Sequence, residues 1–369
     1  MAASVPVHEI AALIKQAAAD AGFERAGIAP AGVHRELEYF PAWIAAGHAG
    51  EMKYLEARDE QGELKRAALA RVAPWAKSVI VCALNYGTDH PYSTEMQDPS
   101  RGWIARYAWS REDYHDAVLR RLEQVEDALH KAVSGPPTLT TRSYVDTGPI
   151  VERVFAKYAG AGWIGKNTCI INQKIGSWLF LGVILTSLEL QPDMPAPDRC
   201  GTCTRCIAVC PTNAILEPYH LDSNRCISYL TIEKRGTIPD EDLRRGMGRH
   251  VFGCDICQDV CPWNRKAPSS PAAEFEPRPG LVNPALDWIA EMSEEEFRET
   301  FRRSPIRRAK RAGLRRNAVI AMGNSGNPEF LPLLDRLAQD RDEDESVSGA
   351  ARWAANELRS RCGADMPQR

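Results

Sequence analysis

The sequence predicts an α+β multidomain chain in three parts. Three observations point there. Apolar, strand-like runs alternate with amphipathic helical stretches up to about residue 190. Eight of the 11 cysteines then crowd between Cys200 and Cys261. The last part is helical and repeats one of its stretches. The expected division is an α/β domain over 1–190, a cysteine module over 191–265 and a helical domain over 281–362. A length of 369 residues suits two or three domains, and 44% hydrophobic residues suffice for real cores. A formal net charge of −3 excludes a general polycation, so any nucleic-acid contact has to be a local patch.

In the first part, Ile10, Leu13, Ile14 and Ala17 recur at helical spacing. That start has neither the apolar core of a signal peptide nor a twin-arginine pattern, and no apolar run reaches membrane-spanning length, so the expected location is the cytoplasm. Ser78–Tyr86 (SVIVCALNY) reads as a buried strand carrying Cys82 as a core residue. Arg111–Val133 reads as a helix with Val118, Leu119, Leu122, Val125 and Leu129 on its buried face. SYVDTG is a short strand and turn, and IVERVFAKYAG a helix closed by Gly160. Ser177–Leu190 is a second long strand. Gly160, Gly162 and Gly165 spell G-x-G-x-x-G, but the motif follows a helix instead of opening one, so it reads as a cap and turn. Asp113-Tyr114-His115 imitates the start of a cobalamin-histidine signature, yet Ala117 stands where its glycine belongs, so His115 reads as a satisfied or surface histidine.

The proline-rich Gln191–Arg199 opens the cysteine module. Its first motif is Cys200-x2-Cys203-x2-Cys206-x3-Cys210-Pro211, and its second is Cys254-x2-Cys257-x3-Cys261-Pro262, with Cys226 between them. The first spacing is that of bacterial ferredoxins, in which three thiolates wrap one iron–sulfur cube and the fourth crosses to its neighbour. Cys200, Cys203, Cys206 and Cys261 are therefore assigned to one [4Fe–4S] cluster, and Cys210, Cys226, Cys254 and Cys257 to another. Paired zinc sites are the bland alternative, although such a run rarely binds zinc. Cubane clusters do one-electron chemistry, so another part of the protein has to use the electrons. Cys169 and Cys362 carry no usable signal.

After the loop Lys266–Gly280, RNAVIAMGNSG and GAARWAANEL align Ala318 and Ala321 with Ala351 and Ala354, as a short HEAT-type repeat would.

The stretches YVDTGPIVERVFAKYAGAGWIGKNT, RYAWSREDYHDAVLRRL, MKYLEAR, the two cysteine motifs and RRAKRAGLRRNAVIAMGNSGNPEFLPLL together resemble epoxyqueuosine reductase over nearly the whole chain. The resemblance implies a cobalamin-dependent oxidoreductase related to reductive dehalogenases. It would reduce epoxyqueuosine to queuosine at the wobble position of tRNA anticodons, the last step of queuosine synthesis, with cob(I)alamin fed by two [4Fe–4S] clusters. An unidentified cytosolic electron donor, no membrane and a monomer are expected as well. By position in the shared motifs, Asp146 in VDTGP is the general acid and a cobalamin contact. The bland reading of Asp146 is a helix N-cap, with Thr147 as the competing cap. Arg58, Tyr107, Asn167, Ile170, Leu181, Ser228 and Asp255 are the further cobalamin contacts, and with no histidine-ligand motif the cobalamin is expected base-off.

From Arg302 to Arg316 the chain carries eight basic residues and no acidic one. Charge runs are usually solvated surface. This one opens the helical repeat, and Arg307, Arg308, Arg311 and Arg315 fall on one face of a helix drawn through them. With Lys310 and Arg316, and with Lys234 and Arg235 from the loop after Cys226, they form the expected tRNA surface. The wobble base would then be flipped into the pocket. Two other classes compete. A reductive dehalogenase of small organohalides would share the cofactors but lack the basic tail. An electron-transfer protein without catalysis would leave VDTGP and the first 190 residues unexplained.

Overall fold

A computed structural model describes residues 7–133 and 138–364. Four strands form the first sheet, in the spatial order Arg25–Pro30, Ser78–Asn85, Leu179–Thr186, Thr141–Tyr144. Every neighbouring pair is antiparallel. The expected α/β domain is therefore α+β in the strict sense. Apolar runs announce burial on both faces, which both strand directions allow, and so do not encode direction. Ser78–Asn85 is buried along its whole length. On one face Ile80, Cys82 and Leu84 meet Ile14 and the helix Tyr114–Ala132. On the other, Val79 and Val81 meet Phe155 of the helix Glu152–Tyr158. The long helix buries Val118, Leu122, Val125 and Leu129 as expected, but Leu119 is 38% exposed, one step outside the stripe.

The glycines at 162 and 165 serve a tight hairpin. Trp163–Ile164 pairs with Ile170–Ile171, and a Cβ on Gly162 would lie 2.5 Å from the carbonyl oxygen of Ile171. Gly160 ends the preceding helix at φ +70, a left-handed conformation suited to glycine.

The cysteine loops are fastened on two sides. Towards the sheet, the Ser177 N–H donates to Asn264 Oδ1 at 2.7 Å, and Gln258 Nε2 donates to the Ser177 carbonyl at 2.9 Å. Towards the tail, Asn317 Nδ2 donates to the carbonyls of Thr231 and Val251 at 2.8 and 2.9 Å. Strand His250–Phe252 also pairs in parallel with Trp103–Ile104, so one continuous core joins Ile104 and Trp109, the helix Ile227–Ile232 and the helices of the tail. Within that core Ala318, Ala321, Ala351 and Ala354 are fully buried. Small side chains there let the helices Lys310–Ser325 and Glu345–Ala364 approach closely: a Cβ on Gly323 would meet Ala354 at 2.8 Å.

Candidate active site

Short turns aim backbone N–H groups at cysteine sulfurs. Cys226 caps the helix Ile227–Ile232, and Cys261 caps the turn Pro262–Asn264. Burial pushes the thiols of Cys206, Cys226, Cys254 and Cys261 up. The N–H groups of Ile207, of Ser228 and Tyr229, of Ile256 and of Trp263 pull the other way, favouring thiolate on those four sulfurs in turn. The Ala214 N–H donates to Cys210 Sγ at 3.3 Å. The sulfurs lie in two groups. Cys200, Cys203, Cys206 and Cys261 line one cavity together with Asn167 and Trp263. Cys254 feels the charges of Cys226 and Cys210, and Cys257 those of Cys254 and Cys226. Cys169, for which the sequence offered no role, lies beside Cys257.

Asp146 stands on the loop after strand Thr141–Tyr144, exposed, at φ +55. Neither it nor Thr147 caps the following helix, whose N-cap is Val151, so the capping reading does not hold. The Tyr114 hydroxyl instead donates to Asp146 Oδ2 at 3.0 Å. Tyr107 stands edge-on to Tyr114, with ring centroids 6.0 Å apart. Burial, and then the charge of Asp146, pushes both phenols well above their ordinary value, so they remain proton donors. Glu152 is pushed up to about 7, first by burial and then by Asp146, and its Oε1 is buried without a partner. Around neutrality Glu152 therefore carries only part of a negative charge.

The floor of the site continues into the second cysteine group. Asp255 is buried, and its Oδ2 accepts the N–H of Arg106, next to Tyr107, at 2.6 Å. Burial pushes Asp255 up to about 6. Asn167 is buried and donates to the Cys257 carbonyl at 3.4 Å. Ser228 sits in the helix that Cys226 caps. Ile170 is buried in the hairpin, whereas Leu181 is half-buried on an inner strand of the sheet. Arg58 is exposed and gives its guanidinium to the Gly62 carbonyl in its own loop, at 2.7 Å. Tyr114 and Glu152 are the neighbours of Asp146 that sequence reasoning missed. Tyr114 lies in the very segment that was set aside for lacking a cobalamin-histidine glycine.

The basic run divides in two. Lys310 has φ +61, so no single helix runs through it: Pro305–Ala309 is a separate 3-10 turn, and a common face for Arg307, Arg308, Arg311 and Arg315 does not exist. Arg302, Arg303, Arg307, Arg308 and Lys310 are exposed. Arg311 is half-buried and pairs with Glu294 at 3.2 Å. Arg315 and Arg316 do not belong to the surface. Arg315 is 6% exposed and forms a two-pronged pair with Glu343, both bonds 2.6 Å long. Arg316 is 1% exposed and donates to the carbonyls of Leu230, Lys234 and Gly236 at 2.7, 3.0 and 2.6 Å. Lys234 pairs with Glu51, and Arg235 donates to the Arg308 carbonyl at 2.8 Å. Arg316→Ala is expected to lower stability by about 3 kcal/mol or more, because it strands three carbonyls and removes a charged donor. Chemical denaturation reads this as a lower midpoint; an unmoved midpoint would contradict the structural role.

Residues 66–147 match the family described as epoxyqueuosine reductase QueG, DUF1730, and residues 199–264 match the 4Fe-4S double cluster binding domain. The chain is 45% identical over 278 residues to the epoxyqueuosine reductase of Synechocystis sp., covering 75% of this chain and 92% of the relative. It is 38% identical over 351 residues to the epoxyqueuosine reductase of Vibrio cholerae, covering 95% and 92%. Among solved structures, the Bacillus subtilis epoxyqueuosine reductase, captured with its catalytic aspartate loop swung out of the active site, superposes with a TM-score of 0.84 at 30% identity, over 96% of this chain and 91% of that one. An epoxyqueuosine reductase with an epoxyqueuosine-modified tRNA-Tyr stem loop superposes with a TM-score of 0.85 at 28% identity, over 98% and 96%.

Proposed function

This chain belongs to the epoxyqueuosine reductase family, and we infer from that membership how its residues divide the work. The protein is an oxidoreductase that reduces epoxyqueuosine to queuosine in tRNA. The observation that carries this is similarity to curated epoxyqueuosine reductases along almost the whole chain, 38% identity over 95% of it in one case. The dehalogenase alternative has no comparable support.

The reaction converts an epoxide to an alkene. It consumes two electrons and two protons and releases the oxygen as water, so the protein has to hold a reductant and deliver protons. The two sulfur groups fit two [4Fe–4S] clusters, held by Cys200, Cys203, Cys206 and Cys261 and by Cys210, Cys226, Cys254 and Cys257. Tight loops and N–H donors aimed at the sulfurs are what such clusters require. The residues beside the second group fit a corrin. Leu179 and Leu181 of the inner strand and Ile164 of the hairpin are half-buried apolar side chains that could cover a corrin face, and Asn167 could meet a corrin amide. When bound, cobalamin supplies a strongly reducing, nucleophilic cobalt, and the clusters supply electrons singly.

The chain's own residues handle the proton. Asp146 protonates the departing oxygen. Tyr114 fixes the carboxyl through its hydroxyl and keeps its own proton, being far above its ordinary pKa. Tyr107, Asn167, Ile170, Leu181, Ser228 and Asp255 are the residues that would face the corrin; Arg58, bonded to the Gly62 carbonyl in its own loop, would have to leave that bond to join them. The tRNA backbone is met by Arg302, Arg303, Arg307 and Lys310, on a tail of HEAT-type helix pairs, while the Arg308 guanidinium is held by Glu233. Lys234, Arg235 and Arg311 brace that surface. Among the described residues no helix is long and apolar enough to cross a membrane. The protein works in the cytoplasm as a monomer, taking electrons from a soluble donor.

Substrate choice tests the function directly. Under reducing, anaerobic conditions the loaded enzyme should convert an epoxyqueuosine-bearing stem loop and leave a halogenated phenol untouched; the reverse preference would restore the dehalogenase. Reversing Arg307 and Lys310 to glutamate should weaken stem-loop binding and lower its salt slope by roughly 0.7 to 0.9 for each phosphate no longer neutralised. An unaltered slope would mean that these cations do not meet phosphate.

A further inference from the structure

Tyr54, in the turn Lys53–Glu56, is 44% exposed, and two cations stand over its ring. The guanidinium of Arg66 lies 5.6 Å from its ring centroid and that of Arg308 lies 5.3 Å from it. Arg66 donates to the Tyr54 carbonyl and to the Gly148 carbonyl, each at 2.8 Å. It thus ties the ring to the loop that carries Asp146. Arg308 is fixed in turn by Glu233, through Nε at 2.9 Å and Nη2 at 3.0 Å. The charge of Asp146 reaches the Tyr54 hydroxyl. An exposed aromatic ring, pre-organised by two cations at the mouth of the proposed active site, is poor packing for an apolar partner. It suits a flat, electron-rich ligand next to phosphates, because single-stranded RNA is read by stacking its bases on aromatic rings and guanidinium planes.

We propose that Tyr54, with Arg308 laid against its ring, is a stacking platform for an unpaired nucleobase of the anticodon loop, beside the nucleotide that enters the Asp146 pocket. This rests on the epoxyqueuosine reductase reading. Holding a flanking base here would keep the loop open while the wobble nucleotide is extruded.

The test is the affinity of the cluster-loaded protein for an unmodified anticodon stem-loop RNA, measured by fluorescence anisotropy across a salt series. Tyr54→Ala should bind roughly tenfold more weakly, the loss of one base stack. Its salt slope should stay at the wild-type value, because the same phosphates remain neutralised. Tyr54→Phe and Tyr54→Trp should bind about as tightly as wild type, and all three should keep the wild-type iron content. Wild-type affinity in Tyr54→Ala would overturn the platform alone. A weaker affinity accompanied by a shallower slope would also overturn it, since Tyr54 would then only prop Arg308 against a phosphate. A wild-type protein that fails to bind the stem loop would overturn the platform together with the reaction it serves.

Discussion

Asp146→Asn is expected to retain iron, sulfide and corrin binding while turnover falls by roughly 10²- to 10⁴-fold, the usual worth of a positioned general acid. Asparagine is the informative replacement here. Asp146 sits at φ +55, where asparagine is among the few residues tolerated, so the loop keeps its shape. The amide oxygen can still accept the bond that Tyr114 now gives to Oδ2. What disappears is the dissociable proton. Alanine would mix backbone strain with chemistry. Unchanged turnover in Asp146→Asn would remove Asp146 as the acid, and Tyr114, whose hydroxyl bonds it, would become the candidate.

Cys226→Ser should cost about half of the iron and nearly all turnover. Cys226 caps the helix Ile227–Ile232, and serine is a preferred cap, so the fold should hold. A hydroxyl, however, replaces thiolate poorly on iron. Cys226 is the isolated cysteine between the two motifs, so this variant tests the crossed assignment more sharply than any cysteine within a run. A full complement of native-like clusters in Cys226→Ser would break that assignment. The variant also separates the two groups: Cys226 does not line the cavity shared by Cys200, Cys203, Cys206 and Cys261, and the cluster signal of that cavity should survive.

The cysteine chemistry was legible in the sequence because cluster ligation is a local pattern: spacing sets how a loop can wrap a cube, and proline ends the wrap. Asp146 was reached only through family resemblance, because nothing local distinguishes it from a helix cap. The structure does so by starting the helix six residues later, at Glu152. Tyr114 was illegible for a different reason. Its partner lies 32 residues away on another element, and its own segment mimicked a different motif. The basic run misled because sequence counts charges without their partners. Arg316 satisfies three carbonyls that the end of the helix Ile227–Ile232 and the loop after it leave open, and Arg315 neutralises Glu343. The left-handed Lys310 then divides a stretch that periodicity draws as one helix. Strand direction was beyond reach as well, since Ser78–Asn85 is apolar throughout and has no polar face from which to read its neighbours.

The most direct measurement is anaerobic conversion of an epoxyqueuosine-bearing tRNA by iron- and sulfide-reconstituted protein, with and without added cobalamin, under a strong chemical reductant. Nucleosides would be analysed by mass spectrometry. Loss of one oxygen atom from the modified nucleoside only when cobalamin is present is the predicted result. Conversion that does not depend on cobalamin, or none by protein that holds both clusters and the corrin, would contradict the account.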